Sequence, residues 1–406
     1  MISEHTPLTD DRVKLPVSIA AIAVLVGLLG WLASNNVWTF VFVIGLIISV
    51  FLHEVGHFVT ARATGMQVTQ FFMGFGPRLF AWRRGEVEYG WRAFPIGAFV
   101  RIVGMNNVDD AEVADEQRTY RSKSFPRRLL VISAGSLMHM VIALVLFVGV
   151  FVTAGRWGET GRVVVLEDPY PASAAEAVGV RGDDEIVSFG GTTIASTRDF
   201  VDAVRSRQPG DQVRVVVRRG DTELSLDATL TAFPGGEPVD NAPAFFGVAT
   251  SSRDYVRLGF GSAIVQAVKD IGTTAVDSVR GVFTVLNPVN VASNLTSEQA
   301  DPLTRPSTVV SASQIGGEIG REEGWKGVLV LLAAVNVFVG VFNMFPLMPL
   351  DGGHASVAIY ERLRSTRTRR YHADVRKLAP LANAVVVLLV MLLVAGLYLD
   401  ITQPLG

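Results

Sequence analysis

His53-Glu54-Val55-Gly56-His57 has the residue types and spacing for hydrolytic metal chemistry. Histidines at i and i+4 share one helix face, so both imidazoles can hold a single Zn2+. Glu54 then stands beside the metal, placed to take a proton from a water and pass it to a leaving amine, which is metalloprotease chemistry. A zinc held for hydrolysis wants a third protein ligand and leaves its fourth position to water. No histidine follows closely after His57, but the later chain offers NMFPLMPLDGGHA from Asn343 to Ala355. There Pro346, Pro349, Gly352 and Gly353 let the backbone bend toward a metal. Asp351 is the best candidate for the third ligand. His354 is a rival, and a simple Asp-Gly turn is the plain alternative.

The elements that must carry these residues are membrane helices. The chain has 406 residues, 49% of them hydrophobic and only 18% charged, with a mean hydropathy of +0.37. That balance is too apolar for a soluble enzyme and points to a polytopic membrane protein. A net charge of −2 gives no case for nucleic-acid binding, and the absence of cysteine excludes disulfides and thiolate metal sites. Five stretches are apolar enough to span a bilayer: 16–33, 37–61, 129–154, 328–345 and 378–399. The first is not read as a cleaved leader. It is long, a second apolar run follows at once, and Glu4, Asp10 and Asp11 stand beside Arg12 and Lys14 upstream.

Basic residues set the orientation. Arg83, Arg84, Arg92, Arg127 and Arg128 lie between the second and third spans, and Arg362, Arg364, Arg367, Arg369, Arg370 and Lys377 between the last two. Both loops are expected in the cytoplasm, with the uncharged Ser34-Asn35-Asn36 link, the segment 155–327 and the C-terminus outside. His53, His57 and Asp351 then fall at one membrane depth, toward the cytoplasmic face.

Between the second and third spans, short alternating runs are separated by Arg84-Gly85-Glu86 and by Pro95-Ile96-Gly97 and read as hairpin strands. Their edge could pair with an extended substrate backbone, or they form an ordinary cytoplasmic hairpin. In the third span, His139 is either a polar group supporting the zinc ligands or a histidine bonded to a neighbouring helix. From Gly161 the chain becomes a mixed α/β module. It has a strand at 162–166, a helix starting at Ser196 with Asp199 three residues on, and strands at 212–218 and 222–229. A Pro/Gly-rich linker covers 233–243. An amphipathic helix over 261–286 lies against the bilayer or on the protein surface, and 290–323 reads as polar loop.

PASAAEAVGVRGDDEI, 171–186, resembles PDZ domains of bacterial membrane and periplasmic proteases, which implies strand-addition recognition of peptides. HEVGH on an apolar helix, the FGP-to-IGAF strand region, the PDZ insert and N-x-F-P-x-x-P-L-D-G together resemble the site-2 protease family of intramembrane zinc metalloproteases, in its bacterial group with one PDZ domain. The resemblance covers about 37–399. It implies zinc on His53, His57 and Asp351, Glu54 as general base, and Asn343 holding the substrate backbone. It also implies cleavage of single-span membrane proteins, anti-sigma factors above all, in a bacterial plasma membrane. Two departures stand out. Relatives often carry G-P-x-x-N where this chain has Gly135-Ser136-Leu137-Met138-His139, and many begin at the zinc helix, without the 16–33 segment.

The expected architecture is a polytopic α-helical membrane protein with a membrane-associated β-hairpin and an inserted extracytoplasmic PDZ (α+β) domain. Its parts are an extra helix over 1–36, the first catalytic half over 37–155, PDZ over 161–232, linker and amphipathic helix over 233–327, and the second catalytic half over 328–406. Other classes fit less well. A catalytically silent PDZ scaffold has no use for Glu54 and a complete ligand set. A zinc transporter needs intramembrane acids on several helices, and the remaining spans offer almost none.

Overall fold

The computed structural model describes residues 15–105, 115–233, 243–366 and 371–404. The expected linker over 233–243 lies almost wholly outside the described residues, as do Arg12, Lys14, Arg367, Arg369 and Arg370. The chain forms two compact units, Met1–Gly149 with Gly261–Gly406, and Val150–Phe260.

The first unit begins with α1 (Leu15–Asn35) and α2 (Val37–Ala63). The uncharged link between them works as a cap, because Asn36 Oδ1 accepts from the backbone N–H groups of Trp38 and Thr39 at the start of α2. A hairpin follows, β1 (Val68–Arg84) and β2 (Val87–Ile102), and then α3 (Phe125–Thr153). Among the described residues, four helices are long and apolar enough to cross a membrane: α2, α3, α9 (Trp325–Asn343) and α11 (Ala379–Thr402). They match four of the five apolar stretches. The fifth stretch falls on α1, apolar over Ile22–Asn35.

The hairpin is more folded than its sequence suggests. Residues 70–73 of β1 pair with 88–91 of β2 on one side and with 98–101 on the other, so two strands make a curled four-segment sheet. The Pro95-Ile96-Gly97 stretch bends β2 rather than ending it. The bends need glycine, because Gly74, Gly76 and Gly97 all have positive φ. The sheet is fixed to α2 by rings, with Phe71 lying 5.6 Å from Phe51 and 5.2 Å from Phe58.

The segment expected as loop over 290–323 carries two helices, and this corrects the sequence reading. α6 (Phe260–Leu286) is followed by α7 (Pro288–Thr296) and α8 (Val309–Glu323). Glycine makes α8 look like loop, but Gly316, Gly317 and Gly320 are where α8 presses on α2. A Cβ at these positions would collide with Phe42, with Thr39 and Asn36, and with Trp38. Two buried ion pairs tie distant helices together. Arg305 meets Asp400 at 2.7 Å, and Asp400 also accepts from Thr308 and Ser311 at the start of α8. Arg128, at the start of α3, donates to Glu361 at 2.6 Å in α10 (Asp351–Arg364).

The second unit has a sheet with strand order β10-β3-β4-β6-β7. Its members are β3 (Arg156–Val165), β4 (Glu185–Phe189), β6 (Gln212–Arg219), β7 (Thr222–Thr229) and β10 (Thr250–Val256), with β5 (Thr192–Thr193) on β4. Its helices are α4 (Ala174–Ala177) and α5 (Thr197–Arg205), and β8 (Thr231–Ala232) pairs with β9 (Ala244–Phe245). Ser196 caps α5 as the sequence predicts, accepting from the Asp199 N–H. The chain past 243 is part of this module: Phe246 joins Phe189 and Phe200 in a ring cluster with centroids 5.4–5.9 Å apart. Burial alone raises the pKa of Asp184, but bonds from Arg219 and the Arg181 N–H outweigh it and hold the carboxyl below its ordinary value.

Two predictions follow from these pairs. Glu361→Ala leaves Arg128 buried without its partner and is expected to destabilise the first unit by about 3–5 kcal/mol, read by thermal unfolding in detergent. The depressed Asp184 contributes stability above its unfolded pKa of about 4, and that stability is lost as pH falls through the lower folded value. Asp184→Asn should flatten the acid limb of unfolding curves of the 150–260 unit.

Candidate metal centre

α2 presents both histidines on the face it turns to α3, and both are buried. His57 Nδ1 lies 2.7 Å from the Val131 carbonyl, which makes Nδ1 the protonated nitrogen and leaves Nε2 with its lone pair. The Nε2 atoms of His53 and His57 are 3.2 Å apart. Asp351 Oδ2 stands 3.4 Å from the first and 3.3 Å from the second. Tetrahedral zinc with bonds of about 2.0–2.2 Å has ligand-to-ligand edges of about 3.3–3.5 Å. The three atoms therefore form one face of such a tetrahedron, with the fourth corner left over. Asp351 Oδ2 and His53 Nδ1 have no hydrogen-bond partner although both are buried. An orphaned carboxylate oxygen facing two imidazole lone pairs is unfavourable without a cation between them. The residues present thus fit a zinc ion.

The third member of the group arrives through a tight turn. α9 ends at Asn343, and the chain folds back so closely that a Cβ on Gly352 would strike the Met344 and Phe345 carbonyls. A Cβ on Gly353 would stand 2.7 Å from the Met348 nitrogen. Asp351 is the first residue of α10, where the helix dipole favours negative charge. Ala355 and Ala358 of α10 share one core with Ala61, Phe71, Val131 and Ile132, which joins α2, the hairpin and α3 to the helix bearing Asp351. His354 is not brought into the group: among the described residues, His53, His57 and Asp351 form the cluster whose ligand atoms lie within 4.8 Å of one another.

Glu54 lies beside the group, close enough for its charge to act on His57 and Asp351. It sits between Phe51 and Phe58 in helical register, on the side of α2 that stacks on the hairpin, half-buried near the Val100 backbone of β2. The centre is thus walled by α3 behind the imidazoles and by the sheet beside the glutamate. Asn343, half-buried, closes α9 at the head of the turn to Asp351.

Several residues that shape the centre were not singled out from the sequence as part of it. Gly135 of α3 lies against the imidazoles, and a Cβ there would be 2.5 Å from Nε2 of both His53 and His57. Gly56, inside the motif, answers it from α2, where a Cβ would be 2.7 Å from the Ala134 oxygen. Asn336 of α9 donates its amide hydrogens to Ser49 Oγ at 3.0 Å and to the Leu332 carbonyl at 2.8 Å. Its Oδ1 therefore accepts from His139 Nδ1 at 2.8 Å. The His139 ring packs 5.0 Å from that of His53. His139 is both a partner of a neighbouring helix and a wall of the metal centre. A lone asparagine in the apolar run of α9 was the available signal for this network.

A His-His-Asp group that fits a metal, with both histidines on a helix of membrane-crossing length and hydropathy, marks a multi-pass membrane zinc metalloprotease. The sequence matches Peptidase family M50 over residues 41–393. It is 32% identical over 393 residues to zinc metalloprotease Rip1 of Mycobacterium tuberculosis, covering 89% of this chain and 96% of that protein. To Rip1 of Mycolicibacterium smegmatis it is 32% identical over 360 residues, covering 80% and 86%. The chain belongs to peptidase family M50, and zinc is its metal. Among solved structures, the PDZ domain of an SdrC-like protein from Listeria monocytogenes matches 23% of this chain and 90% of its own length. Sequence identity there is 22% and the TM-score 0.20.

Gly135→Ala is expected to displace the imidazoles while leaving the fold intact. Zinc affinity should fall about 10–100-fold, as when groups supporting ligands are altered. Metal analysis against competing chelator, beside circular dichroism, checks this.

Proposed function

We propose that the chain is an intramembrane endopeptidase of regulated proteolysis, cutting the transmembrane segments of single-span membrane proteins, with anti-sigma factors the substrate class the family resemblance implies. The observation that carries this reading is the triangle of ligand atoms at 3.2–3.4 Å that joins α2, a helix long and apolar enough for a bilayer, to the start of α10. In this assignment His53, His57 and Asp351 hold the metal. Bound zinc supplies a Lewis acid for the scissile carbonyl and acidifies water. Glu54 takes the proton of the attacking water and returns it to the leaving amide nitrogen.

The substrate must leave its helix locally, because helical carbonyls are engaged in i to i+4 bonds. An extended segment then needs new partners for its backbone. Segment 98–102 of β2 lies at the outside of the curled sheet, beside Glu54, and offers a ladder for it. Asn343 donates its side-chain amide to the same backbone. Basic residues in the loops after α2 and after α10 support a bacterial plasma-membrane orientation with the metal toward the cytoplasm. The 150–260 unit is then extracytoplasmic and acts as a PDZ module. Exposed Val265, Val268 and Val276 suit α6 to the bilayer surface.

Glu54→Gln is expected to keep its zinc and lose cleavage of a single-span substrate by about 100-fold or more, whereas Asp351→Asn should lose both. Zinc content and product formation in the same preparation measure this. Undiminished cleavage by folded, zinc-loaded Glu54→Gln would overturn the assignment.

A further inference from the structure

Apart from four arginine Nε atoms, the described residues hold three buried side-chain polar atoms without a hydrogen-bond partner: His53 Nδ1, Asp351 Oδ2 and Ser136 Oγ. The first two belong to metal ligands. Ser136 does not, yet it is only 5% exposed and directly follows Gly135. A serine inside a helix ordinarily closes on the carbonyl one turn back. Ser133 does so on Leu129, at 2.5 Å, and Ser136 does not.

Ser136 lies instead on a cavity of about 520 Å³ between α3, α6 and α9, a volume in the range of ligand pockets. Leu137, Met140, Phe283, Met344 and Phe345 make its walls apolar. The two segments that build the metal centre also build this cavity. On α3, Gly135 backs the imidazoles and Ser136 lines the cavity; on α9, Asn343 precedes Met344. Gly340 keeps α9 close, since a Cβ there would stand 2.6 Å from Met140 Cε and 3.2 Å from the Ser136 carbonyl.

We propose that this cavity is the specificity pocket of the protease. It takes one bulky apolar side chain, of leucine, methionine or phenylalanine class, from beside the scissile bond of the unwound substrate, while Ser136 Oγ donates to a substrate backbone carbonyl. The chemistry on both sides agrees. Membrane segments supply large apolar side chains, and unwinding strips their carbonyls of partners that a serine hydroxyl can replace. This proposal rests on the endopeptidase reading above.

The test uses the full-length, zinc-loaded chain in liposomes with a single-span reporter peptide. The cut is mapped by mass spectrometry, and the residues flanking it are varied as Ala, Leu or Phe. The wild type should favour Leu or Phe over Ala at one flank by about 10–200-fold in kcat/KM, the range an apolar pocket supplies. Ser133→Leu, which fills the cavity, should lower that ratio about 10-fold or more, and Phe283→Ala should raise it for Phe over Leu. Ser136→Ala should lower kcat/KM about 10-fold for every side chain without lowering thermal stability, since it removes an orphaned hydroxyl. Cleavage with unmoved ratios in both Ser133→Leu and Phe283→Ala overturns the pocket alone. The same ratios with an acyl chain copurifying in the cavity mark a lipid site and overturn it too. A zinc-loaded wild type that cuts none of the peptides overturns the endopeptidase reading and the pocket with it.

Discussion

Everything in the first unit answers to one distance. Three ligand atoms must lie about 3.3 Å from one another to be bridged by one zinc, and they come from the early helix α2 and from α10 near the end of the chain. In a bilayer, hydrophobicity does little to press helices together, because lipid is as apolar as leucine. Close packing and polar bonds must do it. Gly56 and Gly135 let α2 and α3 meet, Gly45 admits Leu332 of α9, and Gly340 brings α9 to α3. The Arg128–Glu361 pair then fixes α10 to α3, and Gly352 and Gly353 fold the turn that delivers Asp351.

Polar groups in this setting divide into those that are satisfied and those that are not. Ser49, Asn336 and His139 form a closed chain across α2, α9 and α3, each donor meeting an acceptor. Such a chain specifies how three helices dock, because any slip strands several groups at once. His53 Nδ1, Asp351 Oδ2 and Ser136 Oγ are unsatisfied. Stability is spent where geometry must be held and withheld where ligands are received.

Much of this was legible in the sequence, and the rest was hidden for physical reasons. His53, Glu54 and His57 announce themselves because a helix turns spacing into a shared face, and Asp351 because an acid at the end of an apolar run needs a reason. Gly135 is silent. Its role is the absence of a side chain opposite residues on another helix, which no local pattern records. The polar residues of 290–323 spoke for loop, and the glycines of α8 serve contact with α2, so tertiary packing overrode propensity there. β10 was missed because it pairs with β3 from beyond the linker. His139 was open between two roles that the structure shows to be compatible, since a ring bonded to Asn336 on one side can pack on His53 with the other.

Under the proposed function, the hairpin resolves a conflict built into proteolysis within lipid. Backbone exposed to hydrocarbon must be paired, yet a peptide bond can be attacked only after its carbonyl leaves the helix. β1 and β2 meet the first demand by curling, so that 70–73 pair on both sides and the bends fall at glycines. Curling also carries 98–102 to the outside of the sheet, against the face of α2 that bears Glu54. For an endopeptidase, a strand in that place can accept the substrate backbone as its helix gives way, and so lowers the cost of unwinding beside Glu54. The sheet and the metal helix are then one device, and the edge-on and tilted packing of Phe71 against Phe51 and Phe58 keeps its two halves in register.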